Sequence, residues 1–415
     1  MMRRIRLNRL ATSAVAAAVF VSMAACSSSS DSSSSTSSSG TETTSAAPAV
    51  VTPVIASVIA APIAVPATDK KIHMAYEVML TNVLPSPTTI KSFKAMAGDR
   101  TLFDLSGDKL ITWMKVFGAK ERGPVIGPGQ SAIVWVDATV DTRADIPDTI
   151  SHAVDIEVAE PSPPLIPQTL VEQVATTKVD KKDPIVIKPP LDGPHWLDGD
   201  SCCEVQGHRG AANPINGQLF LAERFAIDYV QLNNDGYLYT GDKTKTESYA
   251  YFGTNVHAVA DGKVVAVVDN LPEQTPSIGA TGLRIDEYGG NHVVQDIGDG
   301  HYAFYAHLQG KDGVKVKVGD DLKAGQVVGL LGNSGNSDAP HLHFHVMNGP
   351  DPLAANGLPF EIDSFELESR LISNDALGPL IDDHTKAEYA PDVDAGQRTK
   401  ESPLIRDIMG YKVAN

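Results

Sequence analysis

Hydrophobic and polar residues alternate with period two through much of residues 70–160. Ile72, Met74, Tyr76, Val78 and Leu80 mark one such run, Val134, Val136, Ala138 and Val140 a second, and Val154, Ile156 and Val158 a third. Successive side chains on a strand face opposite sides, so this spacing predicts strands with one apolar face. Gly123-Pro124 and Gly127-Pro128-Gly129 fall between the runs as turn signals. The pattern predicts a small antiparallel β-sandwich-like domain over residues 70–160. His73 and His152 lie on its strands and read as ordinary strand residues.

A proline-rich connector is expected over 161–196, carrying Pro161, Pro163, Pro164, Pro167, Pro184, Pro189 and Pro190. Residues 197–360 return to β patterning with many glycines. Val256–Val259 and Lys263–Val267 flank Asp261-Gly262, which predicts a hairpin. A second hairpin is predicted for 292–297 and 302–307 around Gly298-Asp299-Gly300, and residues 314–335 read as short strands joined by glycine turns. The segment 361–415 is an acidic, mixed C-terminal extension without an assigned role. The fold class is therefore all-β.

The N-terminus has a different character. Arg3, Arg4, Arg6 and Arg9 precede an apolar run over residues 10–25, the layout of a targeting signal. The run ends in Met23-Ala24-Ala25-Cys26, which looks like a bacterial lipobox with Cys26 as the lipidated residue; the alternative is an ordinary secretory signal with an incidental cysteine. Eleven of the fourteen residues from Ser27 to Gly40 are serine, a flexible tether. Residues 26–69 are read as a Ser-rich, then Pro/Val-rich linker that runs into a first strand. Pro53, Pro62 and Pro66 argue against a membrane-spanning helix there. This predicts a lipid-anchored protein of the bacterial cell envelope, facing the periplasm or the exterior. A formal net charge of −17 with no Lys/Arg cluster excludes a general nucleic-acid binder. Cys26, Cys202 and Cys203 cannot build a disulfide framework.

Histidine is the unusual residue, with nine of twelve between His195 and His345. The densest segment is His341-Leu342-His343-Phe344-His345-Val346. On a strand its three imidazoles point one way and its apolar residues the other, and neutral imidazole is a common zinc ligand. Metal binding or catalysis is the reading preferred over a surface strand that happens to be polar with histidine. His307 closes another predicted strand. Asp228 is an acid inside the apolar run Phe225–Val230, where an unpaired carboxylate is costly. It needs a metal or a cation, and a salt bridge to Arg224 or Arg209 is the plain alternative.

The ordered series Tyr305-Ala306-His307-Leu308, Gly325-Gln326-Val327-Val328-Gly329, Gly332-Asn333-Ser334-Gly335 and His341-Leu342-His343-Phe344 resembles the lysostaphin-type (β-lytic, LytM-like) zinc metallopeptidases, which are peptidoglycan endopeptidases. The resemblance covers about residues 207–347. It implies an antiparallel duplicated-hybrid-motif β core over 197–360 with one zinc in a groove. It also implies Asp228 and His343 as metal ligands, with His307 and His341 in catalysis. The family's first ligand is a histidine four residues before the aspartate, where this chain has Arg224, and a guanidinium has no lone pair for a metal. His257 and His292 also stand four residues before an aspartate, but the first pair ends in the predicted hairpin turn and neither stands in the stretch 207–228 that resembles the family's first hairpin.

His208, in Gly207-His208-Arg209-Gly210, is the preferred substitute ligand, a plain loop histidine being the alternative. Cys202 and Cys203 form a second possible ligand pair, though adjacent cysteines do not readily converge on one metal; a vicinal disulfide or free thiols are preferred for them. His345 and Arg224 are expected beside the ligands rather than on the metal. The resulting expectation is a zinc metalloendopeptidase acting on peptidoglycan peptides, with a protein partner conceivable at the first β-domain. Two rivals are an inactive relative that binds peptidoglycan or activates another hydrolase, and a structural lipoprotein whose sandwich is the working part.

Overall fold

A computed structural model describes residues 49–413. The signal segment 1–25, Cys26 and the serine-rich tether lie outside the described residues. Among those described, no helix is long and apolar enough to cross a membrane. The chain is nearly all β, and residues from Val51 onward form one compact unit.

Two sheets make the first part. One joins β1 (Val54–Val58), β2 (Ile72–Asn82) and β5 (Ser131–Val140), with Met114–Val116 at its edge. The other runs, in spatial order, β7 (Thr169–Lys178), β6 (Thr149–Val158), β3 (Thr88–Ala97) and β4 (Arg100–Ser106). The period-two residues meet between the sheets, where Met74, Tyr76, Val78, Leu80, Val134, Val136, Val154 and Ile156 are fully buried. His152 sits in this core and hydrogen-bonds the Tyr76 hydroxyl at 2.8 Å.

Strand β7 falls inside the expected connector. Its prolines lie on either side of the strand, and the short run 170–174 between them pairs with β6. The outer face of the first sheet is covered by the chain itself. Ala75 packs with Phe225 and the two cysteines, and Ile133 and Trp135 pack with Leu221, Val205 and Ala212. This is why β2 is almost entirely buried although only alternate residues face the sandwich core.

The second part is built on a long antiparallel sheet. Its central strands are β8 (Gly193–Asp198), β9 (Ile227–Gln231), β10 (Gly262–Val268), β11 (Asn291–Gly298), β12 (His301–Leu308) and β13 (Leu342–Met347), in the spatial order β10-β11-β12-β13-β9-β8. Beyond β8 the sheet continues with β15 (Asp407–Tyr411) and β14 (Phe365–Arg370), so the segment read as a C-terminal extension belongs to it. Its sparse apolar residues, Phe365, Leu367, Ile408 and Met409, are buried in the same core as Trp196, Tyr229 and Phe344.

The hairpin β11–β12 forms as expected, and Gly298, Asp299 and Gly300 all have positive φ. The hairpin around Asp261-Gly262 does not form. Neither residue takes the positive φ of a primed two-residue turn, and Asn255–His257 pairs with Val327–Leu330 instead. Gly262 answers a different need, because a Cβ there would stand 2.1 Å from the Asp296 carbonyl oxygen on the adjacent strand.

Candidate metal centre

The centre grows out of strand register. Asp228 on β9 lies directly opposite His343 on β13, and His343 lies opposite Ala306 on β12. Leu342, Phe344 and Val346 fill the core on one side of β13, which leaves His343 and His345 on the other. His307 ends β12 with a φ of +58°, and its backbone N–H is held by the Gly289 carbonyl at 3.0 Å. A non-glycine residue in this region carries strain that the surroundings must hold, and such positions cluster at functional sites. His341 immediately precedes β13, bridged to Gly332. His208 comes from elsewhere, on a four-residue helical turn (Gly207–Gly210) between β8 and β9.

Nε2 of His208 lies 3.4 Å from Oδ2 of Asp228. Nδ1 of His343 lies 3.0 Å and Nε2 of His341 3.5 Å from Oδ1 of Asp228. The His307 ring lies tilted against that of His341, with centroids 4.6 Å apart. His208, Asp228 and His343 each offer one donor atom, all within 4.8 Å of one another. Two imidazoles and a carboxylate form a donor set suited to zinc. The far nitrogen of each ligand imidazole is engaged: Nδ1 of His208 donates to the Asp200 carbonyl at 3.0 Å, and Nε2 of His343 lies 2.9 Å from Nδ1 of His345. Such outer contacts fix ring orientation at metal sites. The three residues fit the ion.

His307 and His341 repeat the wiring of His208. Nδ1 of His307 donates to the Ser334 carbonyl at 2.8 Å, and Nδ1 of His341 to the Ala339 carbonyl at 2.8 Å. A carbonyl only accepts, so Nδ1 carries a proton in both rings. Burial, reinforced by His341 and His343, holds His307 well below the usual histidine pKa, so it is neutral at neutral pH. Burial and the neighbouring His343 and His208 do the same to His345. Burial opposes charge on His208 and Asp228 as well. At His208 the carboxylates of Asp228, Asp200 and Glu223 outweigh it and raise the group to about 9. At Asp228 the imidazoles of His208, His341 and His343 outweigh it and keep the carboxyl well below its usual range. All of these residues line one groove of about 560 Å³, which also takes in Tyr288, Phe304, Asp338 and Asp351.

Arg224 is not beside the centre. Its Nη1 donates to Oε2 of Glu77 at 2.6 Å and its Nε to the Gly357 carbonyl at 3.0 Å, turned towards the sandwich and away from Asp228. Arg209 also pairs with Glu77, so neither arginine neutralises Asp228. Cys202 and Cys203 form a disulfide with each other and present no thiolate. The two decoys are structural: His257 donates from Nδ1 to the Gly325 carbonyl and His292 to that of Gly290, both at 2.8 Å. Asp200 was absent from the sequence candidates. It acts on His208 twice, through its carbonyl at 3.0 Å from Nδ1 and through its carboxylate, which accepts the His208 N–H at 3.1 Å, and no periodic pattern marks that pairing.

Residues 245–355 match Peptidase family M23. That stretch contains His307, His341 and His343 and begins after His208 and Asp228. The glycyl-glycine endopeptidase ALE-1 of Staphylococcus capitis is 35% identical over 123 residues, 29% of this chain and 29% of that protein. The peptidoglycan DD-endopeptidase ShyB of Vibrio cholerae is 32% identical over 103 residues, 25% of this chain and 20% of that one. The chain thus spans less than a third of either relative. Among solved structures, the catalytic domain of lysostaphin from Staphylococcus simulans has 30% identity and a TM-score of 0.21, covering 34% of this chain and 78% of that one.

Proposed function

We propose that this chain is a zinc-dependent endopeptidase that hydrolyses peptide cross-links of bacterial peptidoglycan. The observation that carries the reading is the convergence of His208, Asp228 and His343 within 4.8 Å, with His307 and His341 lining the same groove. The match to Peptidase family M23 and the peptidoglycan endopeptidases among the relatives supply the substrate class.

His208, Asp228 and His343 would hold the ion. When bound, zinc supplies Lewis-acid polarisation of a peptide carbonyl and acidifies water. The chain supplies positioning and proton transfer. The Asp200 carbonyl keeps Nε2 of His208 turned to Asp228, and His345 fixes the ring of His343. His307 presents an unprotonated Nε2 to the groove and can take a proton from attacking water, with His341 beside it as the second acid–base group. Once protonated, the same atom can donate to the oxyanion or to the departing amine.

The reading is tested by measuring zinc content of the purified chain and the muropeptides it releases, wild type against His341→Ala. Stoichiometric zinc and new products that disappear in the variant are expected. Less than stoichiometric zinc in wild type would instead leave the alternative of an inactive, peptidoglycan-binding relative. Lipid attachment at Cys26 is part of the proposal, supported by the Met23–Cys26 pattern and the serine tether. Incorporation of labelled fatty acid, abolished by Cys26→Ser, is the expected result.

A further inference from the structure

We infer that the sandwich completes the metal centre: Glu77 is a positioning residue that, through Arg209, holds His208 beside Asp228. The inference rests on the metal reading above.

Between the end of β8 at Asp198 and the start of β9 at Ile227 the chain leaves the long sheet after Gly199, whose N–H still donates to the Asp228 carbonyl at 2.9 Å, and residues 200–220 add no strand to it. The only strands there, Asn213–Ile215 and Gln218–Phe220, pair with each other. His208 therefore stands on a helical turn outside any paired strand, tied to the end of β8 by Asp200, whose side chain accepts its backbone N–H at 3.1 Å and whose carbonyl accepts Nδ1–H at 3.0 Å, whereas Asp228 and His343 sit in paired strands. Its neighbour Arg209 is fully buried against the sandwich. Nη1 of Arg209 donates to Oε1 of Glu77, and Nη2 to the carbonyls of Val136 at 3.0 Å and Tyr76 at 3.3 Å. The other oxygen of the same carboxylate takes Nη1 of Arg224 at 2.6 Å. Glu77 is itself fully buried.

One carboxylate on β2 thus grips the residue after His208 and the residue four before Asp228. A buried guanidinium cannot give up its only carboxylate without a large desolvation cost, so the grip fixes where the turn can lie. Apolar contacts from Val205 and Ala212 to Ile133 and Trp135 seat the rest of the loop on the same sheet face. The ligand on which the centre depends is held from the other half of the molecule.

The test uses the full-length chain and two readouts independent of hydrolysis: zinc affinity by chelator competition, and the visible spectrum of the cobalt(II)-loaded protein. Glu77→Gln is expected to weaken zinc by about 10- to 100-fold, the range seen when outer contacts to ligands are lost, and to alter the cobalt spectrum. Val154→Ala, a cavity in the sandwich core far from this contact, destabilises the fold and is expected to leave both readouts unchanged. Should Glu77→Gln fail to fold, the triple variant Glu77→Leu, Arg209→Met, Arg224→Met removes the buried charges together and carries the same expectation. Wild-type affinity and spectrum in a folded Glu77→Gln or triple variant would overturn the inference while leaving the metal reading intact. Absence of zinc from wild type would overturn the metal reading itself.

Discussion

Three imidazoles at the centre share one wiring, with Nδ1–H given to a backbone carbonyl: His208 to Asp200, His307 to Ser334 and His341 to Ala339. Identical wiring does not mean identical roles, because the partners of Nε2 differ. His208 faces the Asp228 carboxylate at 3.4 Å, whereas His307 has the ring of His341 as its neighbour. His208→Ala is therefore expected to lose stoichiometric zinc, measured by elemental analysis of the purified chain; a full complement of zinc would remove His208 from the ligand set. His307→Ala and His341→Ala are expected to keep zinc and to lower the rate of peptidoglycan digestion by about 10²- to 10⁴-fold, the usual worth of a positioned acid–base group.

Strand β12 shows how an element carries this chemistry. Its outward side supplies His307, and its inward Tyr305 is fully buried, donating to Oε1 of Gln295 at 2.7 Å and accepting from the Val259 N–H at 2.9 Å. Tyr305→Phe leaves both partners without the hydroxyl in a closed core. A loss of about 1–3 kcal/mol in urea unfolding is expected, since buried groups stripped of a partner cost that much. Strand β13 is pinned from its apolar side by Phe344, between Tyr305 and Phe360 at centroid distances of 5.3 and 5.5 Å. Phe344→Ala is expected to cost about 3–5 kcal/mol and to loosen His343 with it.

Residues from Val51 onward form one unit, and buried charge crosses between its two parts at Glu77 with Arg209 and Arg224. Within the sandwich, His73 on β2 is held between Asp137 at 3.0 Å and Asp69 at 3.2 Å. Burial disfavours its charge, but the two carboxylates prevail and raise it from 6.5 to about 10. A raised histidine adds stability that is complete below pH 6.5 and is lost as pH climbs through 10. Thermal stability is thus expected to fall between pH 7 and 10, and His73→Gln to flatten that slope; an unchanged slope would remove His73 as its source. A fragment beginning at residue 191 strips the sandwich from Arg209, Arg224 and Trp135's apolar partners. It is expected to lack the cooperative thermal transition of the full chain, as followed by circular dichroism.

The sequence by itself determined what depends on local periodicity. Alternation over residues 72–80 and 134–140 made the sandwich strands legible, and the spacing of the histidines placed His343 and His345 on one face of β13 with His341 just ahead of it, because side-chain direction on a strand is set by the backbone alone. Positive φ at Gly298-Asp299-Gly300 was likewise encoded in the turn residues. His208 could be singled out only as a histidine in the right region, since its approach to Asp228 crosses twenty residues of chain. The roles of Asp200, Glu77 and Arg224 were decided by tertiary structure. Asp200 meets His208 through both its carbonyl and its carboxylate across a loop with no period, and Glu77 meets its arginines 132 and 147 positions away. Contacts at that separation leave no period in the chain; they follow from which faces must be buried together once the sheets exist.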